Sequence, residues 1–234
     1  MHKPIRITLH NCGVIFVFRI RTLFWDVVVL SCGIMFATSA LLNAKPVQAG
    51  QKVLYLTFDD GPSTAYTPQI LYVLLREHVH ATFFVLGYRC RELPAITRRI
   101  MREGHEIGNH GYDHRDLAHA PESVIKSEIR MADSAIVAVT GQKPLYYRPT
   151  YGGIDRREIP VITKMGHPVV FWTVDSLDWK AKSAATIVQN VERNAGPGSI
   201  VLFHDGISQS RLTAQALPTI IRYYKARGYV FRVL

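Results

Sequence analysis

Val53-Leu54-Tyr55-Leu56-Thr57-Phe58-Asp59-Asp60-Gly61-Pro62 is an apolar run that stops abruptly on two carboxylates and a Gly-Pro pair. It reads as a strand, Val53–Phe58, entering a tight turn. The same pattern recurs downstream. Strands are expected at Ala81–Leu86, Glu106–Asn109, Leu145–Arg148, Val169–Val174, Ser199–Phe203 and Tyr229–Val233. Helical patterns lie near Thr67–Glu77, Pro94–Glu103, Pro121–Val139, Arg156–Lys164, Ala184–Arg193 and Thr213–Ala226, with proline early in some and glycine after others. Short apolar runs alternating with helices are the signature of repeated βα units, hence of an α/β fold around about seven parallel strands. The pattern alone fits either a closed barrel or an open, doubly wound sheet.

The polar residues add information. Asp59 and Asp60 follow the first strand, His110 the third, Arg148 ends the fourth, Asp175 follows the fifth and His204 the sixth. The carboxyl ends of parallel strands share one face, the face on which α/β barrels carry their active sites. Five separate segments are therefore expected to converge.

Adjacent side chains on an extended segment point to opposite sides, so Asp59 and Asp60 can take different tasks. Two aspartates before Gly-Pro are also ordinary turn formers. His110-Gly111-Tyr112-Asp113-His114 carries imidazoles four apart, which face the same way if the segment turns helically and can clasp one metal. With a carboxylate from the first strand end they would form a two-histidine, one-carboxylate set that leaves positions open for water and substrate. Arg148-Pro149-Thr150-Tyr151-Gly152, Asp175-Ser176-Leu177-Asp178-Trp179 and Leu202-Phe203-His204-Asp205 complete the constellation. Each is weak alone; their order and common face carry the argument. His78, His80, His105, His119 and His167 are read as structural or solvent-exposed.

These five blocks, in this order, resemble the motifs of the polysaccharide deacetylases, the NodB-homology or carbohydrate esterase family 4 domain. The resemblance runs from about Val53 to the C-terminus. It implies a distorted (β/α) barrel, often of seven strands, that binds one divalent ion, Zn²⁺ or Co²⁺ and in some members Ni²⁺ or Mn²⁺. It also implies hydrolysis of N-acetyl or O-acetyl groups on polysaccharides, an attack on linear amides rather than peptide bonds in the N-acetyl case. Carried over motif by motif, Asp60, His110 and His114 would be the metal ligands, Asp59 the base and His204 the acid. Arg148 would orient Asp59, Asp175 would pair with His204, Tyr151 would offer a backbone N–H to the oxyanion, and Trp179 and Leu202 would shape the acetyl pocket. Gly111 stands where the family usually has Ser or Thr, and Thr150 where a second Pro is common; neither position is expected to touch metal. An N-deacetylase of peptidoglycan or chitin-type N-acetylglucosamine units is the leading reading. An O-acetyl esterase, a de-N-formylase or an inactive carbohydrate-binding relative are the alternatives.

Upstream, Lys3, Arg6, Arg19 and Arg21 precede an apolar stretch from Leu23 to Ala44 broken only by Asp26. Residues 1–49 therefore read as a signal peptide, with cleavage after Ala49 in Val47-Gln48-Ala49, or as an uncleaved membrane anchor. A lipoprotein site at Cys32 is the weaker option. Each places the catalytic domain, 50–234, outside the cytoplasm. Cys90 would then be alone in that domain, so an intramolecular disulfide is excluded there and stability must come from core burial. Removing Lys3, Arg6, Arg19, Arg21 and Lys45 together with Asp26 takes the net charge from +10 to +6, a surface that suits either an anionic wall polymer or plain solvation. No nucleic-acid partner is expected, and membrane contact only through the N-terminal segment.

Overall fold

The computed structural model describes residues 50–234; the readings made on residues 1–49 lie outside them. Strand β1, Lys52–Gly61, is central. It pairs in parallel with β2 (Thr82–Val85), β5 (Ile200–His204) and, along its first residues, β6 (Tyr229–Arg232). β3 (Glu106–Asn109) continues the sheet beyond β2, and β4 (Val174–Asp175) beyond β5. Helices α1 (Thr67–Arg76), α2 (Gly87–Glu92), α3 (Pro94–Arg102), α4 (Glu122–Thr140), α5 (Ile159–Lys164), α6 (Ala184–Asn194) and α7 (Ser210–Lys225) fill the connections. The α/β class with a parallel sheet is as expected. Among the described residues no helix is long and apolar enough to cross a membrane.

The strand count is corrected from seven to six among these residues. Leu145–Arg148 contributes only isolated bridges, Tyr147 to Asn109 on one side and to Val169 on the other. Of Val169–Val174, only Val174 enters a regular strand, with Asp175. The cause is local. Pro144 and Pro149 bracket the first segment and Pro168 precedes the second, and proline removes the N–H that a longer ladder needs. The regular sheet therefore runs open from β3 to β4, with single bridges spanning the interval. Helix α2, absent from the sequence reading, is only six residues long, too short for a periodic signal.

The two-residue period of β1 organises the interior. Leu54, Leu56 and Phe58 are fully buried in the main apolar core together with Leu71, Leu74, Leu217 and Ile220 of the helices. Phe58 stacks between Phe83 and Phe203, with ring centroids 4.9 and 5.6 Å away. Thr57 and Asp59 alternate with these residues and both accept from Arg148. One strand thus supplies apolar anchorage on one face and polar chemistry on the other. Asp60 breaks the alternation: its φ is 72°, and the register to β2 shifts between Asp59 and Gly61. The bulge turns Asp60 into the same cavity as Asp59 rather than to the opposite side. Gly61 is required here, because the Asp205 carboxylate packs where a Cβ would sit.

Candidate active site

At the carboxyl ends of the strands a cavity of about 400 Å³ is lined by Asp59, Asp60, His110, His114, Tyr151, Asp175, Trp179, Leu202 and His204, together with Trp172 and Ile207. Ten residues were proposed from the sequence. Nine of them line this cavity, and the tenth, Arg148, lies behind Asp59.

Asp60, His110 and His114 present three ligand atoms within 4.8 Å of one another. Oδ1 of Asp60 lies 3.3 Å from His110 Nε2 and 2.9 Å from His114 Nε2, yet it is buried and makes no hydrogen bond. His110 Nδ1 is 2.7 Å from the Arg148 carbonyl oxygen, a contact that assigns the proton to Nδ1 and leaves a lone pair on Nε2. Lone pairs converging on a common point suit a cation between them, so the donor set fits a divalent metal. His114 adopts φ 64°, which brings its ring round to face Asp60.

The carboxylate of Asp59 is only 3 % exposed and accepts from Arg148 Nη1 at 2.8 Å. Arg148 is fully buried, and its remaining donors reach Thr57 Oγ1 and the carbonyls of Val170 and Phe171. Its guanidinium carbon also sits 4.0 Å from the centre of the Phe84 ring. A buried cation held this fully fixes the orientation of its anion.

His204 lies beside Asp59 through the parallel register of β1 and β5. Its partner corrects the sequence reading: Asp178, not Asp175, accepts from His204 Nδ1 at 2.7 Å. Asp178 Oδ2 also accepts from the His204 backbone N–H at 2.8 Å and from Thr213 Oγ1 at 2.7 Å. Asp175 instead accepts the Leu177 N–H at 2.8 Å and, more loosely, Trp179 Nε1 at 3.4 Å, shaping the loop that carries Trp179. The chain after β4 makes a short 3₁₀ turn, Asp178–Lys180, entered through Leu177 at φ 56°, and this turn drives the second aspartate inward. Both aspartates stand in one five-residue block, and spacing alone does not choose between them. Burial alone would lower the His204 pKa; the hydrogen bond and charge of Asp178, with Asp59 and Asp60 nearby, outweigh it and raise the group to about 9.

Tyr151, at φ 59°, stacks edgewise on His114 at 4.6 Å between centroids. Of six non-glycine residues with positive φ among the described residues, Asp60, His114, Tyr151 and Leu177 belong to this site. Such clustering is typical of functional sites, where the surrounding structure holds the backbone in unfavourable conformations. Among the remaining histidines, His105 is a buried acceptor for the Ala81 N–H and is pushed down to about 4 by its burial. His167, in the loop after α5, is fully buried. Trp172 and Ile207 went unassigned from sequence, where they are indistinguishable from core residues.

Residues 47–170 match the polysaccharide deacetylase family. A peptidoglycan-N-acetylglucosamine deacetylase of Bacillus cereus is 40 % identical over 182 residues, covering 76 % of this chain and 66 % of its own length. PgdA of Listeria monocytogenes, of the same designation, is 37 % identical over 186 residues, covering 80 % of this chain and 39 % of its own length. The chain thus spans less than two thirds of either curated relative. The crystal structure of the Bc1960 peptidoglycan N-acetylglucosamine deacetylase superposes with a TM-score of 0.77 at 38 % identity, covering 80 % of this chain and 88 % of that one. The chain belongs to the polysaccharide deacetylase family.

Proposed function

We propose that this protein is a metal-dependent N-deacetylase acting on N-acetylglucosamine-type units of peptidoglycan. The observation that carries the reading is the pairing, within one cavity, of an Asp59–Arg148 ion pair with a His204–Asp178 pair beside a three-ligand metal set. Asp60, His110 and His114 would hold one divalent ion, and two nitrogens with one oxygen suit Zn²⁺ or Co²⁺, with Ni²⁺ or Mn²⁺ as substitutes. When bound, such an ion polarises the acetamide carbonyl and lowers the pKa of water.

The rest of the work belongs to the chain. Asp59, aimed by Arg148, takes the proton of the attacking water. The Tyr151 N–H would face the oxyanion, a donor worth about 3 kcal/mol in other hydrolases. The amine leaves only if protonated, and His204, kept cationic by Asp178, is the donor on the facing strand. Leu202, Ile207 and Trp172 give the acetyl methyl an apolar seat, and the exposed Trp179 and Tyr151 rings offer flat faces to a sugar at the rim. The proposal includes export through residues 1–49.

The test is acetate release by the metal-stripped full chain from peptidoglycan and from N-acetylglucosamine oligomers, with and without Zn²⁺ or Co²⁺. Metal-restored release that is lost in His110→Ala supports the reading, and the better substrate decides between wall and chitin-type glycans. Metal binding without acetate release from either polymer would redirect the site to O-acetyl or N-formyl substrates, or to carbohydrate binding alone.

A further inference from the structure

The metal-ligand turn is braced from behind by α4. Glu128 Oε1 accepts the N–H groups of Tyr112 and Asp113, each at 2.8 Å. A second brace begins at Asn109, the last residue of β3 and fully buried. Its Oδ1 accepts the Gly111 N–H at 2.7 Å, immediately after His110. Its Nδ2 donates to Asp133 Oδ1 at 2.8 Å and to the Ile129 carbonyl at 3.0 Å. The other Asp133 oxygen lies 2.9 Å from Nε2 of His167, whose Nδ1 is 3.1 Å from the Leu145 carbonyl. None of these three side chains reaches the cavity.

We propose that Asp133, locked by His167, is a positioning residue for the His110–His114 pair and acts through Asn109. An amide side chain rotates freely about its last torsion, and a bidentate role as acceptor for Gly111 and donor to α4 demands one of its two flips. Asp133 and the Ile129 carbonyl can only accept, so together they select the flip that leaves Oδ1 facing Gly111, and the Asp133 carboxylate is the shorter and charged partner of the two. His167 in turn fixes the rotamer of Asp133, and the Leu145 carbonyl fixes His167. The consequence is a side-chain brace from α4 on a His110 backbone whose N–H already donates to the Val85 carbonyl of β2 at 3.0 Å, at a turn where Gly111 at φ 84° supplies no stiffness of its own. Outer-shell partners of this kind typically alter metal affinity by about 10–100-fold when removed.

The inference rests on the metal reading above, and its test separates the two. Metal-free full-length wild type, Asp133→Ala, Asn109→Ala and the double variant are titrated with Co²⁺, read by its visible absorption, and with Zn²⁺ against a chromophoric chelator. Thermal melts of the metal-free proteins run alongside. Asp133→Ala is expected to weaken metal binding at least 10-fold, Asp133→Asn to restore it to within about threefold because its Oδ1 still accepts, and the double variant to bind no more weakly than Asn109→Ala. Asp133→Ser replaces the alanine variant should that fail to fold. Unchanged metal affinity in Asp133→Ala, whatever its melting temperature, would overturn the proposal. So would the same factor lost again in the Asn109→Ala background, or an Asp133→Asn protein as weak as the alanine variant. A wild type that binds neither ion would sink the metal reading itself.

Discussion

Asp59 and Asp178 are both buried aspartates at the carboxyl edge of the sheet, and their partners give them opposite consequences. Asp59, at the end of β1, faces a guanidinium that is itself held by Thr57 and two carbonyls, and its free edge opens into the cavity. Asp178, three residues beyond β4, turns away from the cavity and spends both oxygens on His204 and Thr213. In the proposed mechanism the first carboxylate is left to accept a proton, and the second keeps a proton on its neighbour. The difference lies not in residue type but in which charge the fold places opposite.

Several substitutions sharpen or break that contrast. Asp59→Asn removes the accepting oxygen and is expected to lower kcat by about 10²–10⁴-fold with metal affinity retained; a loss below tenfold would remove Asp59 from the role of base. Arg148→Met leaves the Asp59 charge buried and unpaired, which costs about 3–5 kcal/mol in comparable pairs and should appear as a large fall in denaturant midpoint. Asp178→Asn should lower kcat more than it changes KM and move the alkaline limb of the rate profile to lower pH. Asp175→Asn should leave that limb in place while loosening the Trp179 loop, seen as a rise in KM. The smallest effect belongs to Thr213→Val, which deletes one hydrogen bond to Asp178 at a cost of about 1 kcal/mol.

Stability carries the same signature. The folded state raises His204 from 6.5 to about 9, so it binds that proton more tightly than the unfolded chain does. The corresponding stabilisation is fully present below pH 6.5 and is lost as pH rises through about 9. Melts of wild type should decline across that window, and Asp178→Asn should flatten the decline.

Most of the cavity was legible in the sequence because strand ends announce themselves. An apolar run stopping on Asp59-Asp60, or on His204, places a polar group on a known face. Where the backbone leaves regular geometry, legibility stops. The positive φ of Asp60 puts two aspartates in one cavity when alternation would separate them, and the 3₁₀ turn after Leu177 exchanges Asp175 for Asp178. The fold followed the same rule. Long strands at the centre were read within a few residues, while Leu145–Arg148, hemmed in by prolines, kept the expected position but only bridge-level pairing. Asn109, Asp133 and His167 form a network across β3, α4 and the loop after α5, and no local pattern marks residues that meet only in the fold.

The most direct test is the pH dependence of kcat for metal-loaded wild type, Asp178→Asn and Asp175→Asn on one N-acetylglucosamine oligomer. The account predicts an alkaline limb that moves to lower pH in Asp178→Asn and stays in Asp175→Asn. A limb that moves only in Asp175→Asn, or in neither variant, would contradict the assignment of His204 as the acid held charged by Asp178.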